Sequence, residues 1–571
     1  MPQKEFFSVL IAQAFFAVII GVLVAVTAQL FVEGARYLLS FQEATEGFVI
    51  TVSGQSFSLL PIPTMLTAAL LIILVRKTLG VTKWSGPADS IYALQQPKIG
   101  VDIKVGIGST LAAFISAGGG ASVGQYGPLV HFGATLSTLI SKVTKTNISK
   151  DVLIACGVAA AISAGFNAPI AGIIFAHEAL LRRFSIGAVA PISVSAIVAS
   201  AFNQYLFGSN LAFNVPTPEL ELASVVPFVI IFAPLCSAAA VLYMVTLRKF
   251  QSVSASAKFS FTSLILFTAL VGGTIGTFIP EVLGLGGTQI NQIINATFSI
   301  EFLILILFGK ILMTSMCIGF GFFGGVFGPA LFIGAALGGV LSGLLIKIGL
   351  PADYISIISI ASMAAVGSSV IGAPITVVLI VVELTGSYEF GLMALLSVTL
   401  SSSITYKLFG LSFFDRQLLD RGVDLRRGRE YIHMTQISVG ELESSDYLSF
   451  SPETDSDTIL KSLKTHQMTE AYIIDDQQNL VGKLSIHDLL EETNYLDSLD
   501  RDPLHLTSSQ PLTEALEVAS EFVGESIPIL EGSKLKGAIN EGDLFKKILD
   551  IEDSLRSDQP ANTQTEDDKN Q

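Results

Sequence analysis

Apolar positions in this chain come in long blocks rather than in the short alternations of a half-buried sheet. Phe6 to Phe31 holds no charged residue, which exceeds the roughly 20 residues a helix needs to cross a bilayer core. Further apolar blocks run over Pro61 to Val75, Val152 to Ala176, Ile186 to Phe207, Ala223 to Leu247, Phe259 to Ile279, Phe302 to Leu350, Tyr354 to Val382 and Gly391 to Ile404. Several are too short, too long or too glycine-broken to be one simple span each. Val26-Thr27-Ala28 has the look of a leader-cleavage site, but the first block is too long for a leader and more spans follow it. After Arg429 the pattern turns polar and acidic, with short apolar runs alternating with helix-like segments, as in a small α/β unit.

The blocks also repeat. Gly124-Gln125-Tyr126-Gly127-Pro128-Leu129-Val130-His131-Phe132-Gly133-Ala134 lies without gaps over Gly325-Val326-Phe327-Gly328-Pro329-Ala330-Leu331-Phe332-Ile333-Gly334-Ala335. Ala168-Pro169-Ile170 leads to Glu178 as Ala373-Pro374-Ile375 leads to Glu383, and Ser85-Gly86-Pro87 precedes the first loop much as Gly284-Leu285-Gly286-Gly287 precedes the second. Three landmarks in one order predict two structural repeats that hold the transported species near the midplane, where broken helices meet. Glycine allows close backbone approach. A half-helix starting inside the membrane points unpaired N–H groups and a positive dipole end at its surroundings, an arrangement that favours an anion. The competing reading, small residues serving only as helix-packing surfaces, leaves the proline at the helix start and the three aligned landmarks unexplained.

Other chemistry fits less well. Gly319-Phe320-Gly321-Phe322-Phe323-Gly324 matches a dinucleotide fingerprint in form, but it follows an apolar run, and no acidic residue appears before Asp353. Gly118-Gly119-Gly120 lacks the Gly-Lys-Ser/Thr of a phosphate loop. Cys156, Cys236 and Cys317 sit inside apolar segments and read as packing residues. The six histidines show no ligand spacing, so no metal is expected. With no nucleophile–base pair in view, an enzyme is not expected either. The chain is 51% hydrophobic and 14% charged, which supports the membrane class. Its net charge of −15 is unevenly placed: Arg76, Lys77, Lys83, Arg182, Arg183, Arg248, Lys249 and the stretch Arg416 to Arg429 mark cytoplasmic faces, while acid accumulates from Glu441 onward.

These residues resemble the CLC family of chloride channels and proton-chloride exchangers over nearly the whole chain. The family's G-x-E-G-P pattern is similar to Gly124-Gln125-Tyr126-Gly127-Pro128, its G-x-F-x-P to Gly325-Val326-Phe327-Gly328-Pro329, and its G-S-G-x-P anion loop to Trp84-Ser85-Gly86-Pro87. The resemblance implies a multi-pass α-helical membrane protein with inverted-topology repeats and broken re-entrant helices. It implies that Ser85 and the backbone amides of Val326 and Phe327 hold a dehydrated chloride ion; such donors bind without a full charge that would trap it. Ser85 is equally a helix cap. A homodimer with one pore per subunit is implied by the family alone.

The departures concern protons. The family's gating glutamate falls on Tyr126, an unperturbed phenol with a pKa of about 10 that does not serve as a proton-carrying carboxylate. The exchangers' inner proton glutamate falls on Ala179. Glu178 beside it matches the preceding family glutamate, with Glu383 its counterpart, a placement that implies hydrogen bonding at a helix end; an intramembrane carboxylate is nonetheless a candidate proton site. Phe414 takes the place of a central tyrosine. Tyr126 is left to supply a replacement hydroxyl or to act as a plug. Tyr126 and Phe327 occupy equivalent repeat positions, and with Phe414 they predict a path constricted by rings. On this reading passive chloride conduction is preferred, with proton-coupled exchange through Glu178 as the alternative. A carrier of larger organic anions would need Arg or Lys in the repeat motifs, and these have none.

The tail holds a second repeat. Ala471 to Ile474 precedes Leu480 to Leu490 as Ser526 to Leu530 precedes Leu535 to Leu544. It resembles a pair of CBS modules with the pattern G-x-x-[S/T]-x-x-D: Gly482, Ser485 and Asp488 fit it, whereas Asn540 replaces the hydroxyl residue before Asp543. The resemblance implies an adenine nucleotide at Ser485, Asp488 and Asp543, which read equally as plain helix-start residues. The expected division is residues 1–425 for the membrane domain, with halves at about 60–210 and 260–415, then 430–495 and 500–550 for the two modules and 551–571 for a disordered tail. A plasma or inner membrane with a cytoplasmic tail is expected, with chloride, a second copy of the chain and an adenine nucleotide at the paired modules as the interactions to look for and no nucleic acid.

Overall fold

The computed structural model describes residues 3–44, 48–52, 55–95, 100–144, 148–208, 215, 222–256, 259–352, 354–442, 444–491, 495–522 and 524–557. The chain divides into two compact units, one of residues 1–94 and 98–422, the other of residues 423–571 together with 95–97.

In the first unit the apolar blocks become helices that break wherever the sequence supplies a left-handed or extended residue. The first half comprises α1 (Gln3–Ala44), the hairpin β1 (Val49–Val52) and β2 (Gln55–Ser58), α2 (Pro61–Leu79), α3 (Pro87–Gln95), α4 (Ile103–Gly118), α5 (Tyr126–Thr144), α6 (Lys150–Phe166), α7 (Pro169–Phe175) and α8 (Ile186–Phe207). The second comprises α9 (Leu222–Ser256), α10 (Phe261–Phe278), α11 (Gly287–Ile294), α12 (Ile300–Gly319), α13 (Phe327–Lys347), α14 (Tyr354–Ile371), α15 (Pro374–Thr385), α16 (Tyr388–Phe409) and α17 (Phe413–Leu419). Among the described residues nine helices are long and apolar enough to cross a membrane.

Three blocks that look continuous in the sequence are split. Phe302 to Leu350 becomes α12 and α13, parted at Gly321 with a φ of 128°. Val152 to Ala176 breaks at Asn167 (φ 53°), and Tyr354 to Val382 breaks at Gly372 (φ 73°). Each of the last two breaks is followed by a proline in the first turn of the next helix, where its missing N–H costs nothing and its φ suits the helix.

The core is built from small residues. Along α6 and α14 nearly every side chain is buried, most of them Ala, Ser, Gly, Val or Ile. Such surfaces let helices close to backbone contact. A Cβ on Gly133 would lie 2.2 Å from the carbonyl oxygen of Gly157, and one on Gly334 would lie 2.5 Å from that of Ser362, so α5 meets α6 as α13 meets α14.

The second unit repeats one arrangement twice. After α18 (Gly428–Met434), the first copy runs β3 (Ser449–Phe450), α19 (Ser456–His466), β4 (Glu470–Ile474), β5 (Leu480–Ser485) and α20 (Ile486–Glu491). The second runs β6 (Leu506–Thr507), α21 (Leu512–Glu521), β7 (Ser526–Glu531), β8 (Lys534–Asn540) and α22 (Glu541–Ser557). In both sheets the middle strand pairs parallel to the first and antiparallel to the third, with a glycine of the last strand opposite an isoleucine, Gly482 to Ile473 and Gly537 to Ile529. Ile459, Leu463, Ala471, Ile473 and Leu484 fill one core, and Leu506, Leu512, Ala515, Ile527, Ile529 and Ile539 the other. The polar tail expected from residue 551 is helical as far as Ser557; residues 558–571 lie outside the described residues.

Candidate functional site

Two short backbone bonds join the halves at their centre. Gly124 N–H donates to the Gly325 carbonyl at 2.7 Å, and Gly325 N–H to the Gly124 carbonyl at 2.6 Å. No side chain fits here: a Cβ on Gly124 would stand 2.7 Å from the Gly325 oxygen, and one on Gly127 would stand 3.0 Å from Gly325 Cα and 3.4 Å from Pro87 Cγ. The starts of α5 and α13 and the Ser85-Gly86-Pro87 loop therefore converge on one spot.

Half-helix starts leave N–H groups without partners, and the protein satisfies most of them. Ile170 and Ala171 of α7 donate to the Glu383 carboxylate at 3.0 and 2.8 Å. Ile375 and Thr376 of α15 donate to Glu178 at 2.9 and 2.8 Å, and the Thr376 hydroxyl adds a third bond at 2.6 Å. At the Ser85 loop, Ser109 Oγ accepts from Ser85 N–H at 2.9 Å, and Asp89 Oδ2 accepts from Gly86 N–H at 2.7 Å. The starts of α5 and α13 differ. Among the described residues no protein group accepts from the N–H of Tyr126, Gly127, Val326 or Phe327. Two uncapped positive helix ends in contact form the place in this fold best suited to an anion.

The sequence-derived residues distribute around this point. Val326 and Phe327 form the second tip, both buried. The Ser85 hydroxyl has no protein partner among the described residues. Tyr126 opens α5 with its ring stacked on Phe166 at 3.5 Å between centroids, and both rings set their edges to Phe327, at 6.1 and 5.6 Å. The third ring of the cluster is thus Phe166. Phe414, expected there, packs on Phe413 at 6.2 Å and lines a cavity of about 1080 Å³ below the tips, which also reaches Trp84, Pro128 and Val326. Arg76, Lys83, Arg248, Lys249 and Arg421 give its wall a basic character. Tyr126 and Phe327 are not among its lining residues, although their neighbours Pro128 and Val326 are.

Glu178 sits on a π-helical turn, Ala176–Leu181, that follows α7; π turns recur at functional sites. Ala179 next to it is buried and carries no titratable group. Because a carboxylate that accepts two backbone bonds cannot be matched by an amide with one acceptor, Glu178→Gln and Glu383→Gln should each cost about 1–3 kcal/mol. Similar drops in the thermal unfolding temperature of the purified protein are the expected result. A Glu178→Gln protein as stable as wild type would show that this carboxylate does not secure α15.

In the second unit Asp488 Oδ2 accepts from Ser485 N–H and Oγ–H at 2.9 and 2.7 Å, while Asp543 N–H donates to Asn540 Oδ1 at 2.8 Å. Both aspartates occupy helix starts. A reciprocal pair of carboxylates joins the two modules: Glu470 accepts from the N–H groups of Glu525 and Ser526, and Glu525 accepts from Thr469. Lys483 bonds Glu470 at 2.7 Å.

Sequence reasoning missed four participants. Phe166, following Gly165, is legible only once its partner is known: a Cβ on Gly165 would lie 3.2 Å from the Tyr126 ring. Asp89 three residues after Gly86 has the spacing of a helix-start box. Ser109 and Lys310 occupy equivalent repeat positions. The first accepts from the Ser85 loop, whereas the buried Lys310 ammonium donates to the carbonyls of Val282, Leu283 and Gly284 at 3.3, 3.3 and 2.9 Å.

A family model described as voltage gated chloride channel matches residues 67–406, and one described as CBS domain matches residues 439–494. The chain is 30% identical over 318 residues to the H(+)/Cl(-) exchange transporter ClcA of Vibrio cholerae serotype O1, covering 53% of this chain and 67% of that one. It is 26% identical over 476 residues to the chloride channel protein CLC-f of Arabidopsis thaliana, covering 79% and 58%. Among solved structures, a eukaryotic CLC transporter shares the fold with a TM-score of 0.62 at 18% identity, covering 94% of this chain and 98% of that one. A slow cyanobacterial Cl−/H+ antiporter gives 0.61 at 20% identity, with 72% and 97% covered.

Proposed function

Since the chain belongs to the voltage-gated chloride channel family, we propose that its two uncapped helix starts at Gly124 and Gly325 are the station through which chloride crosses the membrane. The observation that carries this reading is the contrast in capping. Carboxylates occupy the starts of α7 and α15, and Asp89 with Ser109 occupies the loop of α3, whereas the starts of α5 and α13 keep their donors for an ion.

Exchange of chloride against protons has more support than the passive conduction preferred from the sequence. Similar curated proteins are named H(+)/Cl(-) exchange transporters, and a similar solved structure is described as a Cl−/H+ antiporter. One specific observation sustains conduction as the second reading: Tyr126 takes the place of the family's gating carboxylate, and the Glu178 carboxylate is engaged by three donors of α15. Proteoliposomes holding a chloride gradient at equal pH separate the two. Exchange moves protons uphill as chloride runs down; conduction dissipates chloride with no proton movement; absence of chloride flux would end both readings.

The same reading places the second unit in the cytoplasm, on the strength of the basic residues from Arg416 to Arg429, in a plasma or inner membrane, with a homodimer as the assembly. For the tail, engagement of Asp488 by Ser485 supports a structural role over a ribose contact.

A further inference from the structure

Chloride transport leaves unexplained why an acid stands beside the loop that the anion passes. Asp89 turns Oδ2 back onto Gly86 N–H at 2.7 Å, which fixes its charge next to Ser85, and it lines the cavity with Trp84, Gly86 and Pro87. Left unbalanced there, a carboxylate opposes an approaching anion. Lys83 on the same wall is near enough to feel it, but the carboxylate's direct partner comes from the far end of the unit: Arg421 Nη1 stands 2.6 Å from Asp89 Oδ1. The two side chains are only 32% and 27% exposed, respectively. Arg421 follows α17, which is strapped by Arg182 to Asp415 and, just beyond its end, by Arg248 to Asp420 at 2.9 Å. The guanidinium is thus held in place rather than free to wander. One oxygen of Asp89 shapes the loop, and the other is occupied by a positive charge.

We propose that Arg421 is the positioning residue that makes the cavity mouth permissive to chloride: it cancels Asp89 while leaving that carboxylate bonded to Gly86 N–H. The inference rests on the chloride-transport reading above. It concerns charge, so its signature is electrostatic. Charge at a mouth of this kind alters local anion concentration and association rate by about tenfold or more, and it is screened as the Debye length falls from about 10 Å at 0.1 M salt to about 3 Å at 1 M.

The test measures initial chloride flux from proteoliposomes of the full chain at low chloride, with and without about 1 M potassium gluconate to shorten the Debye length. Arg421→Gln is expected to lower flux about threefold to tenfold at low ionic strength and to approach wild type in gluconate. Adding Asp89→Asn to that variant is expected to restore flux, since the amide oxygen still accepts from Gly86 N–H. Arg421→Lys keeps most of it. A loss of equal size at both ionic strengths, or a double variant as impaired as Arg421→Gln, would overturn the proposal in favour of a purely structural pair. Should Arg421→Gln fail to fold, Asp89→Asn alone decides: flux at least equal to wild type at low chloride supports the proposal, and reduced flux overturns it. Absence of flux in the wild-type liposomes would sink the transport reading itself, which keeps the two failures apart.

Discussion

Tyr126→Glu is expected to give the chloride flux a steep fall between pH 4.5 and pH 7.5, well over tenfold, that the wild type lacks, because an unperturbed glutamate titrates near pH 4.3 and loses nearly all its protons over that range whereas a phenol keeps its own. The uncapped N–H groups of Tyr126, Gly127, Val326 and Phe327 converge where the new carboxylate would stand. Each helix start there acts as roughly half a positive charge. Once ionised, the side chain would take those donors and compete with chloride; once protonated, it would release them. Flux should therefore be high at acid pH and fall as pH rises. The change also removes the ring that stacks on Phe166 at 3.5 Å, which widens the path and raises flux in the protonated form. Chloride-electrode recordings across this pH range check the expectation. Parallel pH profiles for wild type and variant would place the anion station elsewhere.

Gly157→Ala is expected to abolish most of the folded protein. The added Cβ would lie 2.2 Å from the Gly133 carbonyl oxygen and 2.3 Å from Ser137 Oγ. The first of these is backbone of a helix that itself carries Tyr126. Overpacking of a filled core costs about 1–3 kcal/mol even where side chains can yield, and here α5 must move. Gly287→Ala provides the contrast, since a Cβ there meets nothing within 4 Å and its φ is not positive. Size-exclusion profiles of detergent-solubilised protein should show aggregation for the first and a peak like wild type for the second. A normal peak for Gly157→Ala would mean that α5 and α6 do not pack this closely.

What the chain discloses about itself follows from how local each feature is. Glycine and proline act on their own backbone, so the tips at Gly124 and Gly325 and the starts at Pro169 and Pro374 are visible as words in the sequence. The duplication made them visible twice. Partners are not local. Glu178 reaches Thr376, 198 positions away, and Asp89 reaches Arg421, 332 positions away; neither pairing leaves a spacing to read. The ring cluster is half legible: Tyr126 and Phe327 fall out of the repeat alignment, but Phe166, the last residue of α6, has the aliphatic Ile371 as its counterpart at the end of α14, and so the repeat gives no cue to it. The family resemblance points Phe414 at the cluster, whereas the start of α17 sets it on the cavity wall with Phe413.

The paired bonds between Gly124 and Gly325 bear on how the path opens. A displacement of α5 along its axis pulls on the start of α13 through a link of two bonds at 2.7 and 2.6 Å, and packed elements of this kind switch between discrete arrangements rather than deform by degrees. The two halves thus contribute one degree of freedom at the centre, not two gates in series. The rearrangement at this point should then relax as a single exponential, with the rings of Tyr126, Phe166 and Phe327 changing their arrangement together.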